Sequence, residues 1–329
     1  MNDFQTLLPR PSRQKVVAWM LSLIAVVVAV SDAAAQGVPR LPGLRPSSDE
    51  QIPAGDRLVR ARVAPRTIVV PAGQRVLAAV VLEIDPGWHV YWRNPGDSGV
   101  PPSLKWSLPA GVVAGPIRWP RPQVFQSPVE TTIGYERQVG LVIPIEAAAD
   151  AVPGRHRVEL EASWMVCKDL CFMGRGTVAV ELEVTPAPPA QREGSSVDAD
   201  DDLPPADPEL RRLVERIPRP LPPDSQITVR FEPTSAEEGT LILSGPSRFE
   251  RIGFLPDAEL GTELHGGLPL EVKASEGRFR LEVPVSLRPA DVRGEAFTLA
   301  GVLVFGENRE DPAFEVSVPV GKTSQQGPP

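Results

Sequence analysis

The sequence predicts an all-β protein that is built as two antiparallel β-sandwiches in series, with one short helix between them. Apolar and polar residues alternate over many short segments, and helical periodicity is almost absent. The alternation is clearest at Val158–Val166 in the first block and at Phe279–Leu287 in the second. A more continuous apolar run at Val76–Ile84 indicates a central strand. Short strands separated by frequent turns are typical of sandwiches.

The N-terminus has the layout of a cleaved secretory signal peptide, which we assign to residues 1–35. A basic segment that ends at Lys15 precedes the apolar run Val16–Val30, and Ala33–Ala35 offers small residues for cleavage. The apolar run is shorter than the roughly 20 residues that a membrane-spanning helix needs. We therefore expect an exported protein with no membrane span in the mature chain.

Composition divides the rest of the chain. The predicted segments are a disordered leader at 36–55, the first sandwich at 56–185, a linker at 186–224, the second sandwich at 225–321 and a disordered tail at 322–329. The linker is rich in proline and aspartate. Within it, Asp207 and Pro208 form a helix start, and the helical spacing that follows is stopped by Pro218. The net charge of -8 argues against a nucleic-acid partner.

Cys167 and Cys171 are the only two cysteines in the chain. An exported protein enters a compartment where a disulfide can persist. In an extended strand, residues four apart are separated by roughly 13 Å, whereas a disulfide needs Cα atoms within about 7 Å. The chain must therefore turn between Val166 and Cys171 if the sulfurs are to meet. We expect one strand to end near Val166 and the next to begin near Thr177, with two glycines between them.

Three interpretations of this pair remain open. A lone cysteine pair in an exported protein is most often a structural disulfide. A five-residue loop, however, gives only about 2 kcal/mol of loop-closure stabilisation, and a partner thiolate can reach such a pair, which favours redox exchange. The third interpretation is copper, because Cys167 and Cys171 together with Met165 and Met173, with His89 as a further candidate, form a soft-ligand set suited to Cu(I).

Five sequence motifs follow one another along the predicted first sandwich. They are Ile84–Gly99, Leu104–Trp106, Trp119–Pro122, Gly134–Glu136 and Trp164–Cys171. Together they resemble the periplasmic N-terminal domain of the thiol:disulfide interchange protein DsbD family, particularly its relatives in suppressor-of-copper-sensitivity systems. The resemblance covers about residues 56 to 185. The second block is similar, more loosely, to the second sandwich of those longer relatives.

The resemblance implies an immunoglobulin-like fold, a periplasmic location and the transfer of reducing equivalents by thiol-disulfide exchange, without a cofactor. It implies that Cys171 forms the mixed disulfide with partners and that Cys167 resolves it. It also implies a shielding loop, here Arg121 to Thr132, with Phe125 and Tyr135 as the shielding residues. For Phe125 the alternative is an ordinary core aromatic.

Full-length members of the family also carry a multi-helix membrane domain and a thioredoxin-like domain with a Cys-x-x-Cys motif. This chain shows neither a later hydrophobic span nor a third cysteine. The resemblance therefore implies a separate membrane thiol reductase or thioredoxin-like donor, and disulfide-containing periplasmic proteins as clients. The alternatives are a copper-tolerance protein that binds Cu(I) and a non-redox adapter whose disulfide is structural.

Overall fold

The computed structural model describes residues 55–127, 130–188, 204–235, 238–257, 263–264, 270–286 and 297–320. The predicted signal peptide, the predicted leader up to residue 54, the linker segment 189–203 and the predicted tail lie outside the described residues.

The first sandwich begins with a short helix, α1 (Gly55–Leu58). Its strands are β1 (Val59–Ala64), β2 (Thr67–Pro71), β3 (Arg75–Ile84), β4 (His89–Gly96), β5 (Ser103–Ser107), β6 (Val112–Ala114), β7 (Gln123–Gln126), β8 (Thr131–Glu136), β9 (Gln138–Ala147), β10 (Gly154–Cys167) and β11 (Cys171–Thr185). One sheet has the order β1-β3-β9-β6, and the other has the order β2-β11-β10-β4-β8-β7, with β5 also paired to β10. The prediction of an all-β fold is confirmed.

The second sandwich follows the helix α2 (Pro208–Val214). Its strands are β12 (Arg219–Pro220), β13 (Thr228–Pro233), β14 (Glu238–Pro246), β15 (Arg251–Pro256), β16 (Glu263–Leu264), β17 (Leu270–Lys273), β18 (Arg278–Ser286), β19 (Phe297–Phe305) and β20 (Ala313–Val320). They form the sheets β12-β20-β19-β15-β17 and β13-β14-β18-β16. Two pairs, β2 with β11 and β12 with β20, run parallel, which the expectation of antiparallel sheets did not include.

Helix α2 has a structural role beyond linking the sandwiches. The side chain of Asp207 caps it by accepting a hydrogen bond from the backbone N–H of Leu210. Leu210 and Leu213 are buried against an apolar cluster that includes Ala79 and Val81 of β3. Because the alternate residues of β3 face the sandwich core, this strand is buried on both faces. Its continuous apolar sequence reflects that double burial.

Strand β19 is also buried on both faces, and there it joins the two sandwiches. Leu303 and Phe305 lie in the core of the second sandwich. Val302 and Val304 point the other way and belong to the apolar cluster of the first sandwich. The two sandwiches therefore share an apolar interface, to which β19 contributes the face opposite to the core of the second sandwich.

The hairpin of β10 and β11 is longer than the sequence predicted, because β11 begins at Cys171 instead of near Thr177. The expectation that Gly174 and Gly176 belong to the turn is wrong, since both lie inside β11. Gly174 pairs directly with Trp164 of β10. A Cβ atom at Gly174 would lie 2.3 Å from Trp164 Nε1. The glycine therefore makes room for the buried indole, whose Nε1 donates to the carbonyl of Gly55.

We predict that Gly174→Ala destabilises the first sandwich by about 1–3 kcal/mol, because the added methyl group overlaps both the Trp164 indole and the backbone of Gly55. Gly154→Ala is the matched control on the same hairpin, since its Cβ would meet only His156 Nε2, at 3.5 Å. Urea unfolding of both variants measures the difference. Equal unfolding midpoints would contradict this account of the hairpin.

Candidate functional site

Cys167 and Cys171 form a disulfide at the end of the β10–β11 hairpin. They are directly opposed across the antiparallel ladder, and their Cα atoms are 4.2 Å apart. The backbone N–H of Lys168 donates to the carbonyl of Leu170 and closes the turn between them. The expected turn between Val166 and Cys171 is therefore present.

The two cysteines differ sharply in exposure. Cys167 is 2% exposed. Cys171 is exposed and follows Leu170, a turn residue that is 68% exposed. Because thiol-disulfide exchange needs a thiolate to reach one sulfur of the bond, an approaching partner meets Cys171 first.

Both cysteines lie on the outer face of the seven-stranded sheet. Side chains alternate between the faces of a strand, and the neighbour of Cys167 in β10, Val166, is completely buried in the core. The next strand, β4, places His89 opposite Cys167. Tyr91, two residues further along β4, brings its hydroxyl oxygen to 3.8 Å from the Sγ atom of Cys171. The disulfide thus lies beside an imidazole and a phenol, both from β4, whose ring centroids are 5.3 Å apart.

Tyr91 is buried under the loop that follows β4. Gly99 has a φ of 113°, and a Cβ atom there would lie 2.2 Å from the Tyr91 ring, so the loop approaches the ring as only glycine can. Ser98 Oγ donates to Glu130 at 2.7 Å beside this loop. Burial, with the charge of Glu130, raises the pKa of Tyr91, while a hydrogen bond with Ser98 opposes the rise. The phenol therefore stays protonated and can donate to sulfur.

Phe125 lies on the far side of His89 from Cys167. Its ring stacks on the His89 ring with centroids 4.9 Å apart and an interplanar angle of 21°. His89 Nε2 is buried and has no hydrogen-bond partner among the described residues. Phe125 thus covers His89, and His89 in turn lies beside the buried cysteine. Phe125 therefore contacts the imidazole, and its shielding of the cysteines stays a prediction.

Tyr135, the other predicted shielding residue, lies in the core. It pairs with Val90 and shares its face of the sheet, opposite to the face that carries the cysteines. Its hydroxyl donates to the carbonyl of Pro120 at 2.8 Å, and complete burial raises its pKa well above the usual value. Tyr135 therefore does not belong to the cover of the disulfide.

Met165 and Met173 extend the cysteine pair along the same face. They are directly opposed in the ladder, two residues from Cys167 and Cys171 respectively. Met173 is 61% exposed. All four sulfur-containing side chains therefore lie on one face of the hairpin, in two successive cross-strand pairs.

Sequence reasoning did not assign Tyr91 or Glu130 to the site. The signal for Tyr91 was its position two residues after His89, on the same face of a strand. Glu130 had no local signal, because it reaches the site through Ser98 from a loop 32 residues away.

No group of three or more His, Cys, Asp or Glu side chains in the described part of the chain is arranged to hold a metal ion. Among the same residues, no helix is both long and apolar enough to cross a membrane.

We predict that His89 makes stability depend on pH. Burial lowers the pKa of His89, against the opposing charges of Glu130 and Glu136. The unfolded chain therefore binds this proton more tightly, so the stability that neutral His89 contributes is complete above about pH 6.5 and is lost as the pH falls through the lowered pKa. In urea unfolding between pH 7.5 and 5, the midpoint should fall less for His89→Gln than for the native protein.

His156→Gln, which removes a histidine of β10 outside the site, is the control for that experiment. If His89→Gln and the native protein lose stability equally as the pH falls, the burial of the imidazole has no such consequence.

Known proteins resemble this chain in sequence and in fold. Residues 56–182 match the family model described as the N-terminal part of the thiol:disulfide interchange protein DsbD. No curated protein matches the chain. The crystal structure of the N-terminal periplasmic domain of ScsB from Proteus mirabilis aligns with a TM-score of 0.52 and 20% identity, over 80% of this chain and 92% of that chain. The E. coli chaperone DraB aligns with a TM-score of only 0.23 and 10% identity, over 79% and 98% of the two chains.

The fold of this chain is therefore the one seen in the ScsB domain. Residues 56–182 form an N-terminal domain of the DsbD family.

Proposed function

We propose that this chain is a periplasmic thiol-disulfide exchange protein, which passes reducing equivalents to partner proteins through Cys167 and Cys171. The observation that supports the proposal most is the asymmetry of the pair. An exposed Cys171 is bonded to a buried Cys167 at the tip of a hairpin. The family of the domain and the predicted export signal agree with this role.

The reducing step begins with both cysteines as thiols. The Cys171 thiolate attacks one sulfur of a partner disulfide, which forms an S–S bond between Cys171 and the partner. The partner's other sulfur leaves as a thiolate and takes up a proton. The Cys167 thiolate then attacks Cys171 Sγ, forms the intramolecular disulfide and releases the partner's second sulfur as a thiol. Two electrons have passed to the partner.

The pair must then be reduced again by a separate donor, for which we propose a membrane thiol reductase or a thioredoxin-like protein. The donor thiolate attacks Cys171 Sγ and expels Cys167 as a thiolate. A second thiol of the donor then breaks the mixed disulfide. Cys171 is the attacked sulfur because Cys167 is buried, so donor and client use the same exposed atom in turn.

The neighbouring side chains suit this chemistry. The Tyr91 hydroxyl, at 3.8 Å from Cys171 Sγ, can donate a hydrogen bond to the thiolate and stabilise its charge. His89 is the cross-strand neighbour of Cys167 and Phe125 stacks on His89, and in this proposal the two rings limit the access of oxidants in solution to Cys167. Cys167 therefore reacts mainly with Cys171, the partner that the ladder places beside it.

We predict that Cys167→Ala, expressed in the periplasm, accumulates covalent complexes with partner proteins, because a mixed disulfide at Cys171 can no longer be resolved. The complexes should appear on non-reducing gels and disappear when a reductant is added. Cys171→Ala is the matched control and should form at least tenfold fewer complexes, since the remaining thiol is buried.

Equilibration of the native pair with glutathione gives an independent result. An inert structural disulfide has a potential below about -300 mV. Such a potential, combined with no complexes in Cys167→Ala, would contradict the exchange proposal and favour a non-redox adapter.

Binding of Cu(I) by the reduced protein is a second candidate function. The observation that favours it is the common face of Cys167, Cys171, Met165 and Met173. Two thiolates and two thioethers are soft ligands of the kind that Cu(I) prefers. This site would exist only after reduction, because the disulfide removes both thiolates.

We predict that, if copper is a ligand, the reduced protein takes up one equivalent of Cu(I) in an anaerobic titration with a competing chelator. Met173→Leu should weaken the binding and Cys171→Ser should abolish it, whereas Met165→Leu tests the less exposed thioether. Equal affinity in the native protein and in Cys171→Ser would exclude this site.

A further inference from the structure

We propose that Arg121 is a positioning residue, through which the second sandwich holds strand β7 in place and thereby keeps Cys167 covered. The inference rests on the proposed function only in that a covered Cys167 matters for exchange. The evidence for the role of Arg121 is the packing around β7. It gives the second sandwich a role in the redox site of the first.

Arg121 crosses the interface and is almost entirely buried, at 8% exposure. Its Nη1 atom donates to the carbonyls of Phe305, Asp311 and Pro312 at 2.7, 2.8 and 3.2 Å. Its Nη2 atom donates to the carbonyl of Gly306 at 2.8 Å. Displacing a buried guanidinium that is held by four carbonyls costs much free energy. Without these hydrogen bonds, the charge and the carbonyl acceptors would be buried and unpaired.

Arg121 is also fixed through its backbone, whose N–H donates to the carbonyl of Arg216 after α2. The residue stands two positions before β7 and four before Phe125. Among the described strands, β7 is the end strand of its sheet and pairs only with β8. With one hydrogen-bonded edge, such a strand is easily detached, so an anchor at its start has a large effect on its position.

The second sandwich supports β7 along its length as well. Gln123, Val124 and Gln126 of this strand line a cleft whose opposite wall includes Leu255 and Val304 of the second sandwich. Leu255 and Val304 belong to the same apolar cluster against which Val124 packs. Arg121 therefore holds the start of a strand that already lies against the second sandwich.

The neighbouring strands of the site are attached to the second sandwich too. Asn94, in a bulge of β4, donates to the carbonyl of Pro256 at 2.8 Å, and Arg93 pairs with Asp257. From the other side, Arg309 donates to the carbonyl of Glu136, the last residue of β8, at 3.4 Å and to the carbonyl of Gln138 at 2.8 Å. The strands that carry His89, Glu136 and Phe125 are thus each tied across the interface.

The chain of contacts runs from Arg121 through β7 to Phe125, from Phe125 to the His89 ring, and from His89 to its cross-strand neighbour Cys167. Loss of the Arg121 contacts should let β7 and Phe125 move away more often. His89 would then lose the ring that packs against it, and Cys167 would become accessible to solvent.

The test measures the accessibility of Cys167 as the only thiol of the full-length chain, in a Cys171→Ser background. Its alkylation by iodoacetamide under native conditions reports how often the cover opens. We expect Arg121→Gln to raise the alkylation rate roughly 5- to 30-fold, the effect of losing an interaction of ordinary strength. Arg280→Gln is the matched control, because Arg280 is an exposed arginine of the second sandwich that pairs with Glu282.

The double variant Arg121→Gln/Phe125→Ala shows whether Arg121 acts by positioning Phe125 or by stabilising the fold as a whole. Phe125→Ala should itself raise the alkylation rate, and Arg121→Gln should then add little, because the two changes act through one contact. A rate for Arg121→Gln equal to that of Arg280→Gln would overturn the inference. Full additivity with Phe125→Ala would overturn it as well.

If Arg121→Gln unfolds the protein, Arg121→Lys is measured in its place. Lysine keeps the charge but cannot reproduce the planar set of donors. Faster alkylation at an unchanged urea midpoint supports the inference, and an unchanged alkylation rate overturns it. This result is independent of exchange, since failure of partner trapping in Cys167→Ala would leave the alkylation rates as they are.

Discussion

The pairing of β10 with β11 is the constraint on which the rest of the site depends. The register runs without a break from Gly154 opposite Val184 to Cys167 opposite Cys171. A shift by one residue would exchange the two faces of the strand, moving the cysteines toward the core and Val166 toward solvent. The fit of Trp164 over Gly174 opposes such a shift, because a side chain in place of Gly174 would overlap the indole. The cysteine pair is therefore positioned by the packing of Trp164 against Gly174 in the same hairpin.

A site on the outer face of a sandwich has a physical difficulty, since one sulfur must be reachable and the other protected. The core cannot provide that protection, because the core lies on the opposite face of the sheet. We propose that His89 and Phe125 provide it from neighbouring strands, and the second sandwich lies beside the strand that carries Phe125. The two apolar faces of β19 join the sandwiches, which brings the second sandwich close to the strands of the site.

Much of the fold could be predicted from local patterns. Period-two alternation identified the strands, and the helix at Pro208–Val214 followed from its cap and its proline. The same patterns misplaced the start of β11, because Gly174 and Gly176 resemble turn residues until the Trp164 indole, which lies close to both, is known. The family resemblance grouped Tyr135 with Phe125, although alternation along β8 and β7 sends the two rings to opposite faces.

The sequence by itself determined that the chain is built of strands, that Cys167 and Cys171 can meet only across a turn, and which motifs resemble the DsbD family. These features are local, since alternation and turn geometry are fixed by residues a few positions apart. Only the tertiary structure decided that Cys167 is buried while Cys171 is exposed, that Phe125 stacks on His89, and that Arg121 binds carbonyls across the interface. The contact of Arg121 with Phe305 joins residues 184 positions apart. No periodicity specifies such a contact, because it depends on the order of the strands and on how the two sandwiches pack.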